Sequence, residues 1–334
     1  MEIFRLGFFV VLKSQNTAGN YPIASTPIIM YYIDMTIFLS FAFFIFGAII
    51  GSFLNVVLYR FNTGRGLGGR SKCPSCRRTL SVIDLFPIFS WIFLKGKCRT
   101  CKSKISPQYV LVEIFTAVLF LFVYLKNAAI LEVSPLIFGV SVGVSLIIMC
   151  LLVLMTVYDF KHKIIPDEFS YAFAAIAFLQ IFLSFNYETS SILFGIPLNF
   201  DGYMMLLSGI FVAFPFYFIW LISGGKWMGL GDAKLGLGIG WLLGVKYGFS
   251  AVVFAFWIGA IISLIAMGGV AVMKFISKKT ANRKNRMGIQ SDFKQLYSVK
   301  FQSEIPFAPF LILGLLIVFF LNISVMDFLA IFNS

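Results

Sequence analysis

Leu136-Ile-Phe-Gly-Val-Ser-Val-Gly-Val-Ser-Leu-Ile-Ile-Met-Cys-Leu-Leu-Val-Leu-Met-Thr-Val-Tyr-Asp159 decides the fold of this chain. The 23 residues from Leu136 to Tyr158 carry no charge. As an α-helix they extend about 34 Å, enough to cross about 30 Å of hydrocarbon. Comparable apolar runs lie near 36–58, 110–125, 169–185, 204–222, 233–245, 248–273 and 306–324. The whole 334-residue chain is 60% hydrophobic and 12% charged, against about 25% charged in a soluble domain. No water-soluble fold covers that much apolar surface, so the expected fold is all-α, a polytopic transmembrane bundle of about eight helices. The run 233–245 is the weakest, since thirteen residues rise only about 20 Å.

A net charge of +13 in a soluble chain would raise nucleic-acid binding, but here the cations collect in loops between apolar runs, where they set topology. Loop 60–108 holds eleven basic residues against the single acid Asp84, and loop 274–304 holds eight against Asp292 and Glu304. Both belong in the cytoplasm. Eight crossings satisfy this, because loop 186–203, with Glu188 and Asp201 and no cation, then falls outside. The short loops 159–168 and 223–232 fall inside. The resulting division is an N-terminal extension over 1–34, read as amphipathic or disordered and not as a signal peptide, and a first transmembrane helix over 35–59. A cytoplasmic four-cysteine loop over 60–108, a membrane core over 109–273, a basic loop over 274–304 and a last helix over 305–334 follow.

Four of the five cysteines lie in the first basic loop, as Cys73-Pro-Ser-Cys76 and Cys98-Arg-Thr-Cys101. Paired C-x-x-C turns at this spacing close a tetrahedral four-thiolate zinc site with no ligand position left for a catalytic water, so the metal is structural. Iron or a redox pair of disulfides is the rival reading. Between the turns, Asp84-Leu-Phe-Pro-Ile-Phe-Ser-Trp91 is apolar enough to dip into the membrane interface or to pack on the bundle.

Asp159 ends one apolar run, and Asp232 opens another in Gly229-Leu-Gly-Asp232. Ionisable residues at the edge of hydrocarbon are costly and mark function. Each alone also reads as an interfacial acid, Asp232 favoured by a helix N-terminus and Asp159 pairing with Lys161 or Lys163. Topology puts both on the cytoplasmic face, and two carboxylates brought together share a proton and divide the work of base and acid, which is aspartic-peptidase chemistry. Gly229 and Gly231, lacking Cβ, let an extended substrate strand approach the backbone. Gly236, Gly240 and Gly244, spaced by four, let their helix approach a neighbour. Gly139-Val-Ser-Val-Gly143 matches a nucleophile-elbow pattern, but inside a transmembrane helix its small residues serve packing. With His162 the only histidine, a zincin site is excluded. Asp167, after Pro166, reads as a cap of the fourth span. A proton-relaying transporter and a zinc-bearing scaffold are the rivals from other classes.

These residues resemble the prepilin (type IV leader) peptidases, G-x-G-D aspartic proteases. The resemblance rests on Gly51-Ser-Phe-Leu-Asn-Val-Val-Leu-Tyr-Arg60, the two C-x-x-C pairs, Val112-Glu-Ile-Phe-Thr-Ala117, Asp159 with Ile165-Pro-Asp167, Gly229-Leu-Gly-Asp232-Ala-Lys-Leu and Pro306-Phe-Ala-Pro-Phe310. It implies that Asp159 and Asp232 are catalytic and that the partners are prepilins or pseudopilins and membrane lipid, with no nucleic acid. Such substrates are cut at the cytoplasmic face after a glycine, usually before phenylalanine. It implies a multi-pass protein of the bacterial cytoplasmic membrane, and a second activity that N-methylates the new terminus with S-adenosylmethionine, with the Gly51–Arg60 segment and Glu113 as contributors. No glycine-rich nucleotide fingerprint marks a site for that donor. The pilin system served and the oligomeric state are left open.

Overall fold

The computed structural model describes residues 26–64, 66, 68–184, 200–285 and 306–332. Residues 1–25 of the expected extension, 186–199 of the expected outside loop 186–203 and 286–304 of the expected basic loop 274–304 lie outside the described residues, while 274–285 of that loop continue a helix. The helices are α1 (Thr26–Arg60), the short α2 (Phe89–Phe93), α3 (Gln108–Val133), α4 (Pro135–His162), α5 (Asp167–Ser184), α6 (Phe200–Ser223), α7 (Leu230–Asn285), α8 (Ala308–Leu321) and α9 (Val325–Phe332). Each expected apolar run lies in a helix over most of its length, the run 306–324 over Ala308–Leu321. Among the described residues five stretches are long and apolar enough to cross a membrane: Asp34–Arg60, Gln108–Val133, Pro135–His162, Asp201–Ser223 and Leu230–Gly269. The chain is a multi-pass membrane protein, and it divides into two compact units, residues 1–207 and 208–334.

In the first unit α1 lies directly on α3 because two glycines four apart face it. A Cβ at Gly47 would sit 2.7 Å from the Ala117 Cα, and one at Gly51 2.8 Å from the Glu113 Cα, so only hydrogen allows this approach. Phe43 stacks on Tyr124 with centroids 5.0 Å apart. The Asn127 side-chain oxygen accepts from the Ser141 hydroxyl at 3.0 Å, joining α3 to α4. Ser134 caps α4 by accepting the Ile137 N–H at 3.4 Å, and Pro135 takes the first helical position, where a missing N–H costs nothing. Ser141 is thus a helical packing residue, as expected. Its flanking Gly139 and Gly143 pack against nothing within 4 Å, which corrects the expectation that they serve close approach.

In the second unit α7 is broken. Gly244 has φ 77° and ψ 178°, one residue before the expected end of the run 233–245. A Cβ at Gly248 would lie 3.4 Å from the Gly240 Cα, whereas eight residues of continuous helix would separate them by about 12 Å. The chain therefore folds back at Gly244, as two separate runs require. Gly240 seats against the Ser208 carbonyl and the Gly209 Cα, and Gly236 lies 3.3 Å by the same measure from the Ala213 Cα. Ser208 donates to the Gly240 carbonyl at 2.7 Å. Of the three glycines spaced by four, two make the α6 contact and the third makes the turn. On α8, Gly314 faces the Ala251 carbonyl, and Phe307 meets Phe256 with centroids 5.0 Å apart.

Replacing Gly240 by valine should cost about 1–3 kcal/mol through overpacking, read as a lower thermal unfolding midpoint of the detergent-solubilised chain. Gly139→Ala, on an open face, should leave that midpoint unchanged. Equal behaviour of the two variants would refute the packing account.

Candidate active site and metal centre

The cysteine loop is built from two copies of one turn. In the first, the Cys73 N–H donates to the Arg78 carbonyl (2.9 Å), the Arg77 N–H to the Cys73 carbonyl (2.9 Å) and the Leu80 N–H to the Ser71 carbonyl (2.8 Å). The second copy repeats these bonds from Cys98 to Ser103 (2.9 Å), Lys102 to Cys98 (3.1 Å) and Ile105 to Gly96 (2.7 Å). Arg77 and Lys102 occupy the same left-handed position, both at φ 57°. Bridges Lys72–Thr79 and Lys97–Lys104 close the two turns. The two C-x-x-C turns were expected from the sequence, but the repeat of their backbone bonds, signalled by Lys72-Cys-Pro-Ser-Cys76 and Lys97-Cys-Arg-Thr-Cys101, was not.

The four sulfurs of Cys73, Cys76, Cys98 and Cys101 lie within 4.8 Å of one another. Cys73 and Cys101 are 3.8 Å apart. A tetrahedral site with metal–sulfur bonds of about 2.3 Å puts its sulfurs about 3.8 Å apart, whereas a disulfide needs about 2.05 Å. The arrangement can hold a metal ion. The Cys76 and Ser75 N–H groups hold the Cys73 thiol down at about 6, and the Ser103 hydroxyl and N–H lower that of Cys101. The Arg78 N–H favours the Cys76 thiolate, but loss of hydration and the sulfurs of Cys73 and Cys101 outweigh it and raise that thiol to about 11. Thiolates this crowded repel one another, and a divalent cation among them removes the repulsion.

Asp84, the one acid of the loop, ties the two turns together. Its side chain is 4% exposed and accepts from the Arg78 guanidinium, from the Arg99 Nε–H at 2.8 Å and from the Ser81 hydroxyl at 2.8 Å. Arg78 belongs to the first cysteine turn and Arg99 to the second. Burial would raise the Asp84 carboxyl, but the Ser81 hydroxyl and N–H, and then Arg99, hold it below the usual carboxylate value.

The motif Gly51–Arg60 supplies structure around this loop. Buried Asn55 donates to the Tyr109 carbonyl at 3.0 Å, and the Arg60 guanidinium donates to the carbonyls of Gly66 and Gly69, both at 3.1 Å. A cleft of about 210 Å³ opens here, lined by Asn55, Tyr59, Tyr109, Tyr158, Lys161 and His162 among others. His162 is exposed and lies over the Tyr158 ring at 4.4 Å.

Asp159 is 5% exposed and Asp232 9%. Asp159 lies in the last turn of α4, which ends at Lys163 in the left-handed region (φ 58°), its N–H donating to the Asp159 carbonyl at 2.7 Å. The negative end of a helix macrodipole is a poor place for a buried acid, so stability does not explain it there. Asp232 lies in the first turn of α7, its N–H donating to the Gly229 carbonyl at 3.3 Å. A Cβ at Gly229 would meet only the Gly231 nitrogen, at 3.9 Å. Asp159 belongs to the first unit and Asp232 to the second. Asp167 is exposed in the first turn of α5.

Fold and site define a helical multi-pass membrane protein with a four-cysteine metal-binding loop and two buried acids at helix ends. Residues 45–127 match the bacterial peptidase A24 N-terminal domain, and residues 146–264 match the type IV leader peptidase family. The prepilin leader peptidase/N-methyltransferase of Bacillus subtilis is 33% identical over 225 residues, covering 67% of this chain and 82% of its own. The protein of the same description from Pectobacterium carotovorum is 31% identical over 247 residues, with the same two coverages, 67% and 82%. A type 4 prepilin-like proteins leader peptide-processing enzyme of Escherichia coli is 36% identical over 146 residues, 37% of this chain and 50% of its own. No solved structure matches. The chain belongs to the type IV leader peptidase family.

If the cluster takes up a metal, Cys73→Ser should lower the metal retained per chain, read by elemental analysis. Asp84→Ala should leave metal uptake by the four cysteines unchanged at neutral pH but expose the segment between the two turns to protease. Because the folded Asp84 carboxyl titrates below its unfolded value, its contribution is present above the ordinary carboxylate range and lost as pH falls through the folded value. Wild-type and Asp84→Ala chains equally resistant to protease at neutral pH would contradict the clamp.

Proposed function

We propose that this chain is a membrane aspartic endopeptidase of the cytoplasmic membrane that removes the basic leader from type IV prepilins or pseudopilins, with Asp159 and Asp232 as its catalytic pair. The observation that carries the reading is the burial of both carboxylates at the ends of apolar helices, inside the segment that matches the leader peptidase family. The distribution of Lys and Arg among the loops supports a cytoplasmic location for both. One carboxylate takes a proton from water as its oxygen attacks the scissile carbonyl, and the other donates a proton to the carbonyl oxygen. The tetrahedral intermediate then collapses, and the leaving amine takes up a proton. Gly229 and Gly231 give an extended substrate strand access beside Asp232, in keeping with the open side of Gly229. Buried acids also suit a proton-relaying transporter, but this family membership speaks for hydrolysis.

The metal of the cysteine loop is zinc in this reading, and its part is structural, since four thiolates complete its coordination. Cys73, Cys76, Cys98 and Cys101 are its ligands. The full chain also N-methylates the new terminus, a reading supported by the bifunctional name of the relatives. S-adenosylmethionine supplies the methyl group. The lining of the cleft at Asn55 fits such a donor in kind, with tyrosine faces for an adenine ring and Lys161 for a carboxylate.

Asp159→Asn and Asp232→Asn, made separately, should each lower cleavage of a prepilin with a Gly-Phe junction by at least about 100-fold, read by gel shift in membranes. Substantial cleavage by either variant would sink the assignment. The mass of the product's N-terminal peptide should rise by one methyl only when S-adenosylmethionine is present. A fully cleaved product with no such increment would remove the second activity.

A further inference from the structure

The segment between the two cysteine turns exposes more apolar surface than a loop in water would keep. Val82 is 83% and Phe93 80% exposed, and Phe86, Phe89 and Ile92 are each more than half exposed. The aromatic residues form one surface: Phe86 and Phe89 have centroids 5.8 Å apart, and Phe89 and Phe93 stack at 6.5 Å. Trp91, on the same short helix, is held inward. Its indole N–H donates to the Ile105 carbonyl at 3.4 Å, and Gly96 lies against its ring, where a Cβ would come within 2.9 Å.

One hydrogen bond fixes the depth of this surface. The Ile88 N–H, immediately before α2, donates to the Glu113 carboxylate at 2.7 Å. Glu113 is buried and lies five residues into the membrane-crossing helix α3, about 7 Å along its axis from Gln108. On either side of Glu113, Leu111 and Ile114 are exposed, so the lipid-facing surface of α3 has already begun at its level. A segment bonded there lies at the edge of the hydrocarbon and not in bulk water. Ile88 itself adopts φ 63° and ψ −57°, a conformation that β-branched residues avoid unless their surroundings impose it. Basic residues follow directly at Lys95, Lys97, Arg99, Lys102 and Lys104, as expected beside anionic headgroups.

We propose that residues 82–93 are a membrane-interface anchor, in which Phe86, Phe89, Ile92 and Phe93 enter the acyl-chain boundary of the bilayer and Glu113 pins the backbone at that depth. The anchor holds the cysteine loop flat on the membrane surface. Lipid is the occupant, because the tether sets the segment at the level of lipid-facing Leu111, and aromatic residues backed by cations suit that boundary. The inference does not depend on the catalytic assignment.

The test places the photoreactive analogue p-benzoylphenylalanine at Phe93, at Leu111 or at Lys102 of the full chain, reconstituted in vesicles containing phosphatidylglycerol. After irradiation, intact mass reports adducts of one phospholipid. Adduct yield at Phe93 should match that at Leu111 and exceed that at Lys102 severalfold. In a Glu113→Ala background the Phe93 yield should fall towards that at Lys102, with the Leu111 yield unchanged as proof that α3 still spans. A Phe93 yield no higher than at Lys102 would overturn the proposal. So would cross-links from Phe93 to a second copy of the chain or to co-reconstituted prepilin in place of lipid. A Phe93 yield unaffected by Glu113→Ala would remove the tether from the account.

Discussion

Hydrocarbon offers a peptide group no hydrogen-bond partner, and the rest of this structure follows from that constraint. Every crossing segment must satisfy its own backbone, which leaves the helix as the unit of construction. Between helices there is no hydrophobic drive, because lipid is as apolar as leucine, so association rests on close packing and on a few polar contacts. The chain supplies both. Gly47 and Gly51 bring α1 onto α3, and Gly240 brings the first part of α7 onto α6. Ser141 to Asn127 and Ser208 to Gly240 add hydrogen bonds within the two units.

The same constraint sorts the charges. Most cations lie outside the crossing helices, with Lys126, Lys234 and Lys246 among the exceptions inside them, and the acids that do occur near the membrane are held in specific ways. Asp84 is clasped by two guanidinium groups from the two cysteine turns. Glu113 receives a backbone N–H from the loop. Asp159 and Asp232 sit buried at helix ends, one at the negative and one at the positive end of a macrodipole. Among its described residues the cysteine loop, outside the crossing helices, has no strand or long helix of its own, and its order comes from paired turns, a four-cysteine cluster and the Asp84 clamp.

Much of this was legible in the residues. A run such as Leu136–Tyr158 has one outcome in a membrane, and each of the eight runs lies in a helix over most of its length. The break expected after residue 245 falls at Gly244, just inside the run 233–245, because a glycine takes the positive φ of a reversal at no steric cost. The four-cysteine cluster was legible because ligand spacing is a short-range property. Helix ends were not, since backbone bonds continue past the apolar stretch, from Thr26 at one end and to Asn285 at another. Nor was the duty of each glycine: Gly139 and Gly143 look like Gly236 and Gly240 in spacing, yet face open space. The Asp84 clamp was hidden because it joins residues 6 and 15 positions away, which only the folded turns bring near.

The central proposal is that Asp159 and Asp232, one from each compact unit, act together in one reaction. Its most direct test is proximity in the membrane. With cysteines at both positions of the full chain, the shortest bifunctional maleimide should yield a linked pair of peptides bearing positions 159 and 232, identified by mass spectrometry. Failure to find that pair, while each thiol reacts singly with a monofunctional maleimide, would contradict the account.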